Sequence, residues 1–127
     1  MPKEELLAGV FEPVAGIWKE KPLVPKILEV ARGSFKHDDP PALSGTGGYV
    51  VPSLAVALWA FYKSNNFRDG ALLAVNVGFD ADTYGAIYGQ LAGAYYGEGG
   101  IPEEWLEVVA KRDLIALLAD QLYAFPI

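Results

Sequence analysis

Apolar residues recur at helical spacing along nearly the whole chain. Leu6, Leu7, Val10, Phe11, Val14 and Ile17 step in threes and fours, which predicts an amphipathic helix over Pro2 to Lys19, bent at Pro13. Pro25 suits the first turn of a helix from Lys26 to about Ser34, with Ile27, Leu28, Val30 and Ala31 as its apolar set. Phe35 to Gly48 reads as a loop, because Pro40, Pro41 and glycines 45, 47 and 48 break any period. Ser53 is the expected N-cap of a helix running to Ser64, with Leu54, Ala57, Leu58 and Phe61 on one stripe. Asn65-Asn66 interrupts that stripe, and Phe67 to Val77 predicts a shorter helix closed by Gly78.

After a tight connection from Phe79 to Thr83, a long helix is expected over Thr83 to Gly97. Glu98-Gly99-Gly100 ends it. Pro102-Glu103-Glu104 opens the next helix, placing acid where the helix dipole favours it, and Trp105, Leu106, Val108 and Val109 give it a broad apolar face. Leu114 to Tyr123 makes the last helix. No alternating strand pattern of useful length occurs, so the expected fold class is all-α. Gly85, Gly89, Gly93 and Gly97 fall every four residues on one helix face. Each glycine costs up to about 1 kcal/mol relative to alanine. Close helix packing is the favoured compensation, and room for a ligand is the alternative.

Composition narrows the function classes. The 127 residues suit one domain spanning 1–127. The absence of cysteine excludes disulfides, thiolate nucleophiles and zinc–thiolate sites, and agrees with a cytoplasmic location. His37 alone cannot build a multi-histidine metal site. A net charge of −6 and a pI near 4.6 exclude a nucleic-acid surface. The uncharged stretches are broken by Pro52 and Gln90 and fall short of the about 20 residues that span a membrane. Mean hydropathy is nevertheless +0.20, with 52% hydrophobic residues. Either the core is rich, or apolar surface is reserved for something outside the chain.

Two stretches carry candidate chemistry. Asp80-Ala81-Asp82-Thr83 places two carboxylates and a hydroxyl at a helix start, a hard-oxygen set suited to Mg²⁺ or Mn²⁺ rather than zinc. The plain alternative is that Asp82 caps the helix while Asp80 is solvated. Gly45-Thr46-Gly47-Gly48-Tyr49-Val50-Val51-Pro52-Ser53 is a glycine-rich run into a helix, which can present N–H groups to a phosphate. It lacks the lysine of a P-loop. His37, with Asp38 and Asp39, reads as a solvated loop.

These motifs together resemble the ADP-ribosylglycohydrolase family. Val77 to Ala94, containing Asp80-Ala81-Asp82-Thr83, is similar to its C-terminal metal-binding signature. Gly47-Gly48-Tyr49-Val50-Val51-Pro52-Ser53-Leu54 and Ala57 to Phe61 resemble its other C-terminal signature, and Ile101 to Leu106 its closing segment. The resemblance implies a multi-helix orthogonal bundle matching the C-terminal half of that fold. It also implies hydrolysis of the glycosidic bond between ADP-ribose and an acceptor at a binuclear Mg²⁺ site. Asp80, Asp82 and Thr83 would then be metal ligands, and Ser53, with the backbone around Gly47, Gly48 and Tyr49, would contact the diphosphate.

The family's N-terminal half supplies a Thr/Ser-Asp-Asp run and an acidic catalytic residue that have no counterpart here. Phe79 stands where the family usually has glycine, and Pro52 where a polar residue is common. The expected partners are therefore ADP-ribose or an ADP-ribosylated substrate, together with a second copy or a complementing N-terminal half. A non-catalytic helical interaction domain, or a fragment that oligomerises, is the alternative.

Overall fold

In a computed structural model, residues 1–43 and 49–126 are described. They form α1 (Lys3–Leu6), α2 (Ile17–Glu20), α3 (Pro25–Ala31), α4 (Val50–Lys63), α5 (Phe67–Asn76), α6 (Ala81–Tyr96), α7 (Glu103–Leu106) and α8 (Arg112–Tyr123). A 3₁₀ turn over Glu98–Gly100 follows α6. No strand occurs among the described residues, as the helical periodicity predicts.

The core is the three-helix junction of α4, α5 and α6. From α4 it takes Val56, Ala57, Ala60 and Phe61, all inaccessible to solvent, from α5 Phe67 and Ala74, and from α6 Tyr84, Tyr88 and Ala92. The α6 residues lie four apart, so they form one buried ridge. Small residues on α4 and α6 let the large rings interdigitate. Phe67 meets Tyr88 edge-on at 5.8 Å and Trp105 of α7 at 6.5 Å. Burial of side chains of this size contributes roughly 1.5–3 kcal/mol each.

Local chemistry sets the helix starts. Asn66 caps α5: its side-chain oxygen accepts the Asp69 N–H at 2.8 Å, and its amide donates back to the Asp69 carboxylate at 2.7 Å. This reciprocal pair follows the logic of a capping box. Pro25 opens α3 at its first position, as expected. The loop after α3 is fastened to α4. There the Trp59 indole donates to the His37 carbonyl at 3.1 Å, and Lys63 bonds Asp38 at 2.8 Å. That ammonium holds the Asp38 carboxyl below its usual range, while Asp38 itself is 98% exposed. His37 is likewise exposed, the solvated loop that its proline-rich context suggests.

Four expectations need correction. The helix over Pro2 to Lys19 is two short helices, because Gly9 and Pro13 interrupt it and Gly16 is left-handed at φ 82°. Ser53 does not cap α4. That helix starts earlier, at Val50, and Ser53 lies inside it, where its hydroxyl donates to the Tyr49 carbonyl at 3.2 Å. The long helix begins at Ala81 rather than Thr83, with Asp80 as its N-cap and Asp82 at the second helical position. Finally, the glycine stripe is a packing device at one position only. A Cβ on Gly85 would come within 3.0 Å of Val75 Cγ1, whereas nothing lies within 4 Å of Gly89 or Gly93. Gly97 ends the helix, at φ 74°.

The last two helices are thinly covered. α7 ends at Leu106, short of the expected apolar face through Val109: Trp105 packs on the core, while Val108, beyond the helix, is 81% exposed. No residue of α8 is buried. An ion pair from Arg112 to Glu98 at 3.1 Å ties its first turn to the body.

Candidate functional site

The connection between α5 and α6 is two consecutive left-handed residues, Gly78 at φ 82° and Phe79 at φ 55°. Glycine enters that region freely, while a residue with a Cβ does so at a cost of roughly 1–2 kcal/mol. The double reversal swings the chain so that Asp80 starts α6. The Phe79 ring is left 88% exposed beside it.

At the first turn of α6, Asp80, Asp82 and Thr83 are brought together. The Thr83 hydroxyl donates to Asp80 Oδ1 at 2.9 Å, and the Thr83 N–H donates to Asp82 Oδ1, also at 2.9 Å. Asp80 and Thr83 are half-buried, and Asp82 is exposed. Asp80 makes no side-chain bond to the helix backbone, so its carboxylate is oriented by a hydroxyl and not consumed as a cap.

Two carboxylates and a hydroxyl are the right donor chemistry for a hard divalent cation, but only part of an octahedral set. Among the described residues no group of three or more His, Cys, Asp or Glu converges on one point. The residues present therefore fit a metal as a partial shell.

The second candidate group divides. Gly47 and Gly48 lie outside the described residues. Tyr49 is 46% exposed at the start of α4, with the Lys26 ammonium 5.3 Å from its ring centroid. A hollow of about 480 Å³ opens there, lined by Val24, Lys26, Ile27, Tyr49, Val50 and Val51. Ser53 lies one turn further on and is only 2% exposed, its hydroxyl turned back to Tyr49. No hydrogen bond joins this group to the Asp80–Thr83 group among the described residues. Lys26 escapes a reading of the sequence, since nothing in its own helical pattern announces that α3 begins beside Tyr49.

A family model described as ADP-ribosylglycohydrolase matches residues 3–126. The chain belongs to the ADP-ribosylglycohydrolase family. ADP-ribosylarginine hydrolase Tri1 of Pseudomonas putida (strain GB-1) is 41% identical over 95% of this chain and 30% of its own length. An ADP-ribosyl-[dinitrogen reductase] glycohydrolase of Rhodospirillum rubrum is 37% identical over 58% of this chain and 28% of its own. A solved structure of an ADP-ribosylglycohydrolase-related protein complex superposes with a TM-score of 0.74 at 45% identity. It covers 93% of this chain and 38% of that one. The chain thus spans about 30% of the relatives it matches. The all-helical architecture of the described residues matches one part of an ADP-ribosylglycohydrolase-related protein, and the match to the family reaches from α1 through α8. No helix among the described residues is long and apolar enough to cross a membrane.

Proposed function

We propose that this chain supplies one part of an ADP-ribosylglycohydrolase site, which hydrolyses the glycosidic bond between ADP-ribose and an acceptor. Asp80, Asp82 and Thr83 hold one side of a Mg²⁺ site, for which Mn²⁺ is also suited, and Gly47, Gly48 and Tyr49 contact the diphosphate, with the buried Ser53 acting through its bond to the Tyr49 carbonyl. The observation that carries this reading is the Asp80–Thr83 pair at 2.9 Å beside the exposed Asp82. It presents the Asp80 carboxylate at a helix start without spending it on the helix backbone, and leaves Asp82 one oxygen beyond its bond to the Thr83 N–H. A divalent cation bound there supplies Lewis acidity and orients substrate hydroxyls. The chain's own part is to hold the two carboxylates, the first aligned by the Thr83 hydroxyl and the second by the Thr83 N–H. The relatives named for ADP-ribosylarginine hydrolysis make arginine the first acceptor to test.

The remaining donors belong to the part of the family's length that the residues matched here do not span. The experiment is hydrolysis of an ADP-ribosylated arginine peptide with Mg²⁺. The chain is assayed alone and mixed with the P. putida relative lacking the region matched here. Mg²⁺-dependent hydrolysis by the mixture, lost in Asp82→Ala, supports the reading. Equal rates for wild type and Asp82→Ala refute it.

One observation favours a second reading, a helical interaction domain without catalysis. Leu114, Ile115, Leu117 and Leu118 on α8 are each about half exposed, and Leu122 is 78% exposed. An isolated helix of this length is marginal in water, so this face is suited to another protein surface, whether a second copy or a complementing chain. Under this reading, association survives while Mg²⁺ changes nothing.

A further inference from the structure

At the far end of α4 from Tyr49, one side chain is bound as a ligand is bound. α4 ends at Lys63, and its C-cap Ser64 is extended at φ −110°, ψ 158°, with no backbone N–H returned to the last turn. The final carbonyls of a helix need donors. Lys3, some sixty positions earlier in the chain, provides them: its ammonium donates to the Phe61 carbonyl at 2.8 Å and to the Ser64 carbonyl at 2.5 Å. A third bond goes to the Tyr96 hydroxyl at 2.7 Å. An ammonium has three N–H donors, and each has an acceptor.

The walls around this nitrogen are aromatic. The Phe61 centroid lies 4.2 Å from Lys3 Nζ, Tyr96 at 5.2 Å and Tyr95 at 5.8 Å. The rings stand edge to face, Phe61 on Tyr95 at 5.2 Å and Tyr95 on Tyr96 at 4.9 Å, so they form a box whose shape does not depend on the lysine alone. Ring faces attract a cation, and the negative end of the α4 dipole points at the same spot. By contrast, the segment that carries Lys3 brings little else. α1 has four residues, none of them buried, with Leu6 and Leu7 only partly covered. Its last turn is capped by the Lys36 ammonium, which donates to the Leu7 carbonyl.

We infer that Phe61, Tyr95, Tyr96 and the carbonyls of Phe61 and Ser64 form a binding site for a primary ammonium group, with Lys3 as its tethered ligand. This ligand is the polar anchor of the N-terminal segment on α4 and α6, beside the partial packing of Leu6 and Leu7 on the core. The inference is independent of the proposed hydrolase reading. It specifies the class of competitor, an unbranched primary ammonium with three N–H donors, and excludes quaternary ammonium, which has the charge and none of the donors.

The test uses the full chain and Lys3→Ala, which removes the portion that n-propylammonium replaces. The variant is expected to melt several degrees lower. Addition of 100 mM n-propylammonium should recover at least half of that loss, and tetramethylammonium at the same ionic strength none. Both are compared with their effect on wild type. Equal recovery by the two cations, or no loss on Lys3→Ala, overturns the inference. Should the variant fail to fold, the wild-type protein decides. A lysine Nζ resonance with slowly exchanging protons at neutral pH, displaced in Tyr96→Phe, is expected, and its absence refutes the site.

Discussion

Gly70→Ala is the sharpest test of the three-helix junction. A Cβ at Gly70 would lie 2.1 Å from Tyr88 Oη, 2.4 Å from Ser64 Oγ and 2.5 Å from Tyr88 Cζ. None of these neighbours is free to yield. Tyr88 is fully buried, and its hydroxyl hydrogen is shared between the carbonyls of Phe67 at 3.1 Å and Asn66 at 3.3 Å. Ser64 is 3% exposed and donates to the Phe61 carbonyl at 3.4 Å. Overpacking costs about 1–3 kcal/mol. Driving the phenol off its carbonyls adds about 1 kcal/mol. Helix propensity returns up to about 1 kcal/mol. The net expectation is a loss of about 2 kcal/mol. Urea unfolding followed by far-ultraviolet circular dichroism should show a lower midpoint with an unchanged slope. In a Tyr88→Phe background the Oη clash is gone, so the added cost of Gly70→Ala should be smaller. A loss below about 0.5 kcal/mol, or the same loss in both backgrounds, would refute this account of the core.

Three further outcomes are expected. Phe79→Gly relieves the left-handed residue before Asp80, a gain partly cancelled by the freer unfolded chain, and should stabilise by about 0.5–1 kcal/mol in the same urea assay. Burial pushes the Tyr88 phenol above its ordinary 10.0. A group raised on folding contributes fully below its unfolded value and loses that contribution as pH rises through its folded value. Stability should therefore fall from about pH 10 upward, more steeply in wild type than in Tyr88→Phe, as read by melts between pH 8 and 11. Asp82→Ala removes an exposed side chain and should leave metal-free stability within about 0.5 kcal/mol, while abolishing any rise in melting temperature on addition of Mg²⁺ and ADP-ribose.

The helices with long, clean stripes are the ones legible in the sequence. Leu58 and Phe61 on α4 announce their face because burial and helical period coincide there, whereas on α6 the glycines draw the eye and the buried ridge is Tyr84, Tyr88 and Ala92. The Pro2–Lys19 stretch has the same period, but only Leu6 and Leu7 of it pack against the core. Gly9, Pro13 and Gly16 therefore prevail, and the chain makes two short turns. Residues 80–83 stand out as chemistry because acids are scarce around them. Their hydrogen bonding is not legible, since the assignment of cap to Asp80 follows from the left-handed pair at Gly78 and Phe79. Ser53 shows the reverse case: a good capping residue lies one turn inside the helix, where burial against α5 and α6 sets the register. Lys3 carries no local signal at all, because its partners lie some sixty and ninety positions away.

The proposed site requires that Asp80, Asp82 and Thr83 face a divalent cation. Titration of the ¹⁵N-labelled chain with Mn²⁺ tests it directly, because a paramagnetic ion broadens the amides nearest to it. The amides of residues 80–84 should broaden first, at Mn²⁺ concentrations that leave those of Asp38, Asp39 and Glu98 sharp, and excess Mg²⁺ should reverse the effect. Broadening spread evenly over the exposed carboxylates, or unchanged in Asp82→Ala, would contradict it.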